Sequence, residues 1–144
     1  EHHEYLDEQR DTPDFVWHGE LDRAAKVKYL ASLDAFCVPP IYNDPKAMYV
    51  LEALASGVPV VVPARMAPKE HVEACGGGLV VAPDSPQALA EAFLELAADR
   101  QSARELGARG REGVQSVRTL RQMAERTVSV YESLLTPSPQ EVMA

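Results

Sequence analysis

Two carboxylates, Asp44 and Glu52, stand eight residues apart near the middle of the chain, with Lys46 between them. Asp44 followed by Pro45 reads as a helix start, because the acid caps the first turn and proline's missing N–H costs nothing there. The N–H groups of Lys46, Ala47 and Met48 are then expected to point out of the helix end, with the positive pole of its dipole behind them. Such an end suits a diphosphate. A helix over residues 44–56 buries Ala47, Val50, Leu51, Leu54 and Ala55, and Glu52, about 140° round from Ala47, flanks that face. Spacing alone leaves plainer roles open: Asp44 as a simple cap, Glu52 as a solvated surface acid, Lys46 as an exposed cation.

These groups need a scaffold, and the flanking sequence describes one. Short apolar runs at residues 14–17, 35–38, 58–62 and 79–81 predict four strands. Most are β-branched rather than alternating, as strands buried on both faces should be. Helical patterns separate them: one capped by Asp22, the helix of residues 44–56 stopped by Gly57, a short one near residues 70–74, and one opened by Ser85 and Pro86. Strands alternating with helices imply an α/β fold with a mostly parallel sheet. Ligands bind beyond the carboxyl ends of such strands, where Pro39, Pro40 and residues 41–44 fall. Past Asp99 the pattern is all helical, and the last helix carries Leu120, Met123, Ala124, Val128, Tyr131 and Leu135 on one face. Residues 1–10 read as the end of a helix, residues 1–135 as one domain, and residues 136–144, with two prolines, as a flexible tail.

The 144 residues suffice for one domain with a core, and 46% hydrophobic with 25% charged is globular composition. A net charge of −8 argues against a nucleic-acid partner or an anionic membrane surface. No apolar run reaches the length of a membrane span. Cys37 and Cys75 lie in or beside apolar segments without metal-ligand spacing, which reads as two reduced core thiols of a cytoplasmic protein. His2 and His3 read as a solvated end rather than a metal site, and His18 as a turn residue. Gly76, Gly77 and Gly78 follow a helix instead of preceding one, so they read as a stop and turn, not a dinucleotide fingerprint. Neither a nucleophile context nor a metal motif is present.

The run Asp44-Pro45-Lys46-Ala47-Met48-Tyr49-Val50-Leu51-Glu52-Ala53-Leu54-Ala55-Ser56-Gly57-Val58-Pro59-Val60-Val61 resembles the signature of retaining glycosyltransferase family 4. Phe15-Val16-Trp17-His18-Gly19, Asp34-Ala35-Phe36-Cys37-Val38-Pro39, Glu70, Gly76-Gly77-Gly78-Leu79-Val80 and Tyr131 agree with it. The resemblance implies the later, C-terminal part of a GT-B fold: a Rossmann-like parallel sheet of about four strands with flanking helices. It implies that Glu52 holds the ribose hydroxyls of a nucleotide sugar and Asp44 positions the transferred sugar. The amides of Lys46, Ala47 and Met48 would face the diphosphate or sugar, and Gly19 the base. A carboxylate accepting from vicinal hydroxyls makes charge-assisted contacts. No cofactor or metal is implied beyond the nucleoside diphosphate sugar itself, and the residues do not specify the acceptor.

The chain departs from that pattern in places. Asp44 stands for the first Glu, Ala47 for a Gly, residues 65–69 hold no Gly, and His71 takes an apolar position. The acceptor-binding domain, the cations that neutralise the diphosphate and the first strands of the sugar-nucleotide domain have no counterpart here. The chain alone is therefore expected to be inactive, with open sheet edges that favour a homodimer. A non-catalytic scaffold and a sugar-nucleotide epimerase are the alternative readings.

Overall fold

The computed structural model describes residues 12–135; His2, His3, the helix end expected in residues 1–10 and the tail from residue 136 lie outside the described residues. At the centre is strand β2 (Val60–Pro63), whose three valines are wholly buried. Strands β1 (Phe36–Cys37) and β3 (Gly78–Val81) flank it in the order β1-β2-β3, both parallel to it. Successive strand side chains face opposite ways. Val60 and Val62 therefore share a core with Val50 and Leu54 of helix α2 (Met48–Ala55), Val72 of α3 (Met66–Cys75) and Leu30 of α1 (Arg23–Ala31). Val61 faces a second core with Ala92 and Leu96 of α4 (Pro86–Ala98). Helix α5 (Arg100–Val117) ties the two layers together, with Ala103 and Leu106 in the second core and Val114 and Val117 against the first.

Short polar side chains set the helix boundaries. Asp22 accepts from the Ala25 N–H at 2.8 Å to start α1, and Ser85 accepts from the Ala88 N–H at 3.2 Å ahead of Pro86. Thr119 and Gln122 exchange bonds of 2.9 and 3.3 Å, a capping box that opens α6 (Leu120–Leu135). Gly57, at φ 79°, stops α2 through a 2.9 Å bond from its N–H to the Leu54 carbonyl.

Helix α5 is laid unusually close to its neighbours. A Cβ added at Gly107 would stand 2.2 Å from the Gly57 carbonyl oxygen, and one at Gly113 2.2 Å from that of Cys75. At Gly110 it would meet the Gly77 Cα at 2.8 Å. These glycines, three residues apart on one face, let α5 rest on the backbone that ends α2 and α3.

One expected strand does not form. Residues 15–17 form no strand, so the sheet has three strands among the described residues. Asp14 turns the chain at φ 68°, the Phe15 N–H bonds to Thr12 at 3.2 Å, and no neighbouring strand pairs with the run, which leaves Val16 67% exposed. The last helix forms, but none of its residues is buried, Leu120 and Leu135 being 80% and 82% exposed. Its amphipathic pattern is real, and no described element covers its apolar face.

Candidate functional site

The segment after β1 runs along the carboxyl ends of the strands, with Ile41 and Tyr42 exposed. Helix α2 begins at Met48, four residues later than Asp44, which corrects the expected start. Asp44 does not cap the helix. Its Oδ1 instead accepts from the N–H groups of Lys46 and Ala47, both at 2.9 Å. The Ala47 amide first, and the Lys46 amide second, hold the Asp44 carboxyl below the usual carboxylate range. Two of the three amides expected to point toward a ligand are thus engaged by the chain's own acid.

Ala47 carries the turn into the helix. It sits at φ 41°, ψ 46° with its methyl 1% exposed, a left-handed conformation that costs a residue with a Cβ about 1–2 kcal/mol. Met66, at the start of α3, also has a positive φ, 22°. Ala47 stands where the resemblance expects glycine, and Met66 lies in the 65–69 segment expected to hold one; both adopt a positive φ that glycine takes without strain.

Glu52 lies about one turn along α2 and faces α1. Its Oε1 accepts from Lys26 Nζ at 2.6 Å, with both side chains 42% exposed. A half-exposed pair of this kind contributes at most about 1 kcal/mol, so a competing ligand can displace it. Both residues border an open groove of about 580 Å³, together with Leu21, Arg23, Val27 and Leu30. Gly19 lies just before Leu21 at φ 63°, and His18 packs on Tyr29 of α1 with ring centroids 4.8 Å apart. Glu52 therefore opens onto a groove from the middle of α2, while Asp44 folds back on the loop before that helix; the two acids have different roles.

Sequence reasoning missed Lys26, because no spacing rule ties it to an acid 26 residues on in another helix. It missed the His71 contact, in which Nε2 lies 2.8 Å from the Lys46 carbonyl oxygen, although a polar residue at an apolar position was a signal. It also missed the Arg65–Asp84 ion pair between the β2–α3 and β3–α4 connections. Tyr49 adds a buried hydroxyl, pushed up to about 12 chiefly by burial and then by the Asp44 charge.

Two further cavities frame the site. An apolar cup of about 270 Å³ sits at the carboxyl ends of the strands, among Pro39, Pro40, Pro63 and Leu89. One of about 580 Å³ lies at the other end, beside Ala35 and Pro59, away from the side where parallel sheets hold ligands. Cys37 and Cys75 are both free and border the two different cores. Burial pushes the Cys37 thiol up to about 11 and raises that of Cys75, so neither is a ready nucleophile. Among the described residues no group of acids, histidines and cysteines could hold a metal ion, and no helix is long and apolar enough to cross a membrane.

The three-stranded parallel sheet with helices on both faces corresponds to part of the GT-B fold of its structural neighbours. Residues 3–113 match the family Glycosyl transferases group 1, and the chain belongs to that family. It is 36% identical over 124 residues to a GDP-mannose-dependent alpha-mannosyltransferase of Mycolicibacterium smegmatis, which covers 85% of this chain and 32% of that protein. Sucrose-phosphate synthase of Thermosynechococcus elongatus superposes with a TM-score of 0.79 at 28% identity, over 92% of this chain and 33% of that one. Anabaena HepE, solved in complex with UDP-glucose, superposes with a TM-score of 0.61 at 24% identity, over 71% of this chain and 29% of that one. The chain thus spans about a third of the length of these relatives.

Proposed function

We propose that the chain is the nucleotide-sugar-binding part of a retaining, metal-independent hexosyltransferase of family 4. In the reaction, the bond between sugar C1 and the diphosphate oxygen breaks as an acceptor hydroxyl oxygen bonds to C1 and passes its proton to the departing phosphate oxygen. The nucleoside diphosphate leaves as an anion, stabilised by amides and cations. Glu52 holds the ribose hydroxyls in the groove beside α1, with Gly19 near the base. Asp44 orients the sugar, and the amides of Lys46, Ala47 and Met48 meet the diphosphate. The names of the mannosyltransferase and of the UDP-glucose complex support a nucleoside diphosphate hexose as ligand. The two free thiols fit a reducing, cytoplasmic setting.

The observation that carries this reading is the engagement of the Lys46 and Ala47 amides by a carboxylate oxygen. Successive N–H groups around a left-handed residue form an anion-binding nest. Here the nest holds the Asp44 side chain, which must turn away toward the sugar when a diphosphate enters. Calorimetric titration with GDP-mannose and UDP-glucose is the test. Binding of at least one by the wild-type chain, weakened roughly tenfold in Glu52→Gln, is expected from the loss of a charged hydrogen bond. Equal affinity in the variant, with unchanged melting, removes Glu52 from the site. Failure of both sugars to bind favours the scaffold reading, to which the self-engaged amides also lend themselves.

A further inference from the structure

Resting on that reading, we infer that His71 is a positioning residue for the nucleotide-sugar loop, acting from α3 through the peptide that joins Lys46 to Ala47. A carbonyl oxygen only accepts, so the 2.8 Å contact between His71 Nε2 and the Lys46 oxygen requires the proton on Nε2. The other end of the same peptide plane, the Ala47 N–H, donates to Asp44 Oδ1 at 2.9 Å. In a trans peptide these two groups point in opposite directions from one rigid plane. The plane is thus gripped on both sides.

This grip explains how an alanine stays left-handed. The φ of Ala47 is the rotation between that plane and the Ala47 Cβ, and the Cβ is anchored by burial to 1% exposure. With the plane and the methyl both fixed, φ is fixed at 41°. A glycine would reach this conformation unaided. Where the chain has alanine, a histidine one helix away supplies the restraint. Asp44 alone cannot, because the same carboxylate must move when a ligand takes its amides; His71 then becomes the tether that keeps the nest in shape. Its Nδ1 is buried without a hydrogen-bond partner among the described residues, so the ring's bonding is committed to the loop.

The test compares His71→Leu, which keeps bulk and loses the donor, with His71→Gln, whose amide nitrogen can reach the same carbonyl. Hydrogen exchange of residues 44–48 is followed in the ligand-free chain, and GDP-mannose and UDP-glucose affinities by calorimetry. In His71→Leu, exchange across 44–48 is expected to speed up about tenfold and nucleotide-sugar affinity to fall five- to tenfold. His71→Gln should restore most of both. Unchanged exchange in His71→Leu overturns the tether. Faster exchange with unaltered affinity overturns the positioning role, and faster exchange spread evenly over α3, without rescue by glutamine, makes His71 a packing residue only. If the wild-type chain binds neither sugar, the nucleotide-sugar reading fails on its own, and the exchange data still decide whether His71 restrains the loop.

Discussion

Asp44 shows how far residue identity and residue role can differ. An acid before a proline is the expected mark of a helix cap, and the side chain does bond backbone amides, but one turn earlier than the helix itself. Its effect on stability has a definite sign. The folded carboxyl titrates below its ordinary 3.8, so its contribution is complete above that value and disappears as pH falls through the lower, folded pKa. Wild type should therefore melt above Asp44→Ala at neutral pH, and the two should converge under strongly acidic conditions. A gap independent of pH would show that the amide bonds depend on shape and not on charge. At this scale the sequence placed Glu52 on the flank of α2 and the amides of Lys46 and Ala47 at its mouth, because types and spacing are local. Lys26 and His71 were hidden, since each reaches its partner only after two helices have packed.

At the scale of elements, patterning located β1, β2 and β3 and the stops at Gly57 and Gly76, because each is written in a few adjacent residues. It misplaced the run at residues 15–17, where apolar character promises a strand only if a neighbour completes the hydrogen bonds. The glycine seam of α5 was illegible for the opposite reason: in sequence, Gly107, Gly110 and Gly113 look like weak points in a helix, and only contact with Gly57, Gly77 and Cys75 gives them purpose. Gly107→Ala tests the seam. Alanine adds about 1 kcal/mol of helix propensity, but a methyl 2.2 Å from a backbone oxygen forces α5 outward and should cost more. Urea unfolding is expected to show a net loss of about 1–2 kcal/mol, whereas a more stable variant would mean that α5 has room to spare.

For the whole molecule, the described part leaves the outer edge of β1 without a partner strand and the apolar side of α6 uncovered. Exposed edges and apolar faces favour association. The chain is 15.8 kDa, and we expect light scattering to report about twice that mass, through pairing of these surfaces. A clean monomer at high concentration would count against it. The scaffold matters because the candidate site joins three helices and a loop: α1 brings Lys26, α2 Glu52, the loop before it the amides of Lys46 and Ala47, and α3 the His71 contact. The most direct test follows the backbone amide resonances of Lys46 and Ala47 while GDP-mannose or UDP-glucose is added. Saturable shifts of these two amides, larger than elsewhere in the chain and accompanied by movement of the Asp44 side-chain signal, are the expected result. Shifts confined to other regions, with both amides still bonded to Asp44 at saturation, would contradict the account.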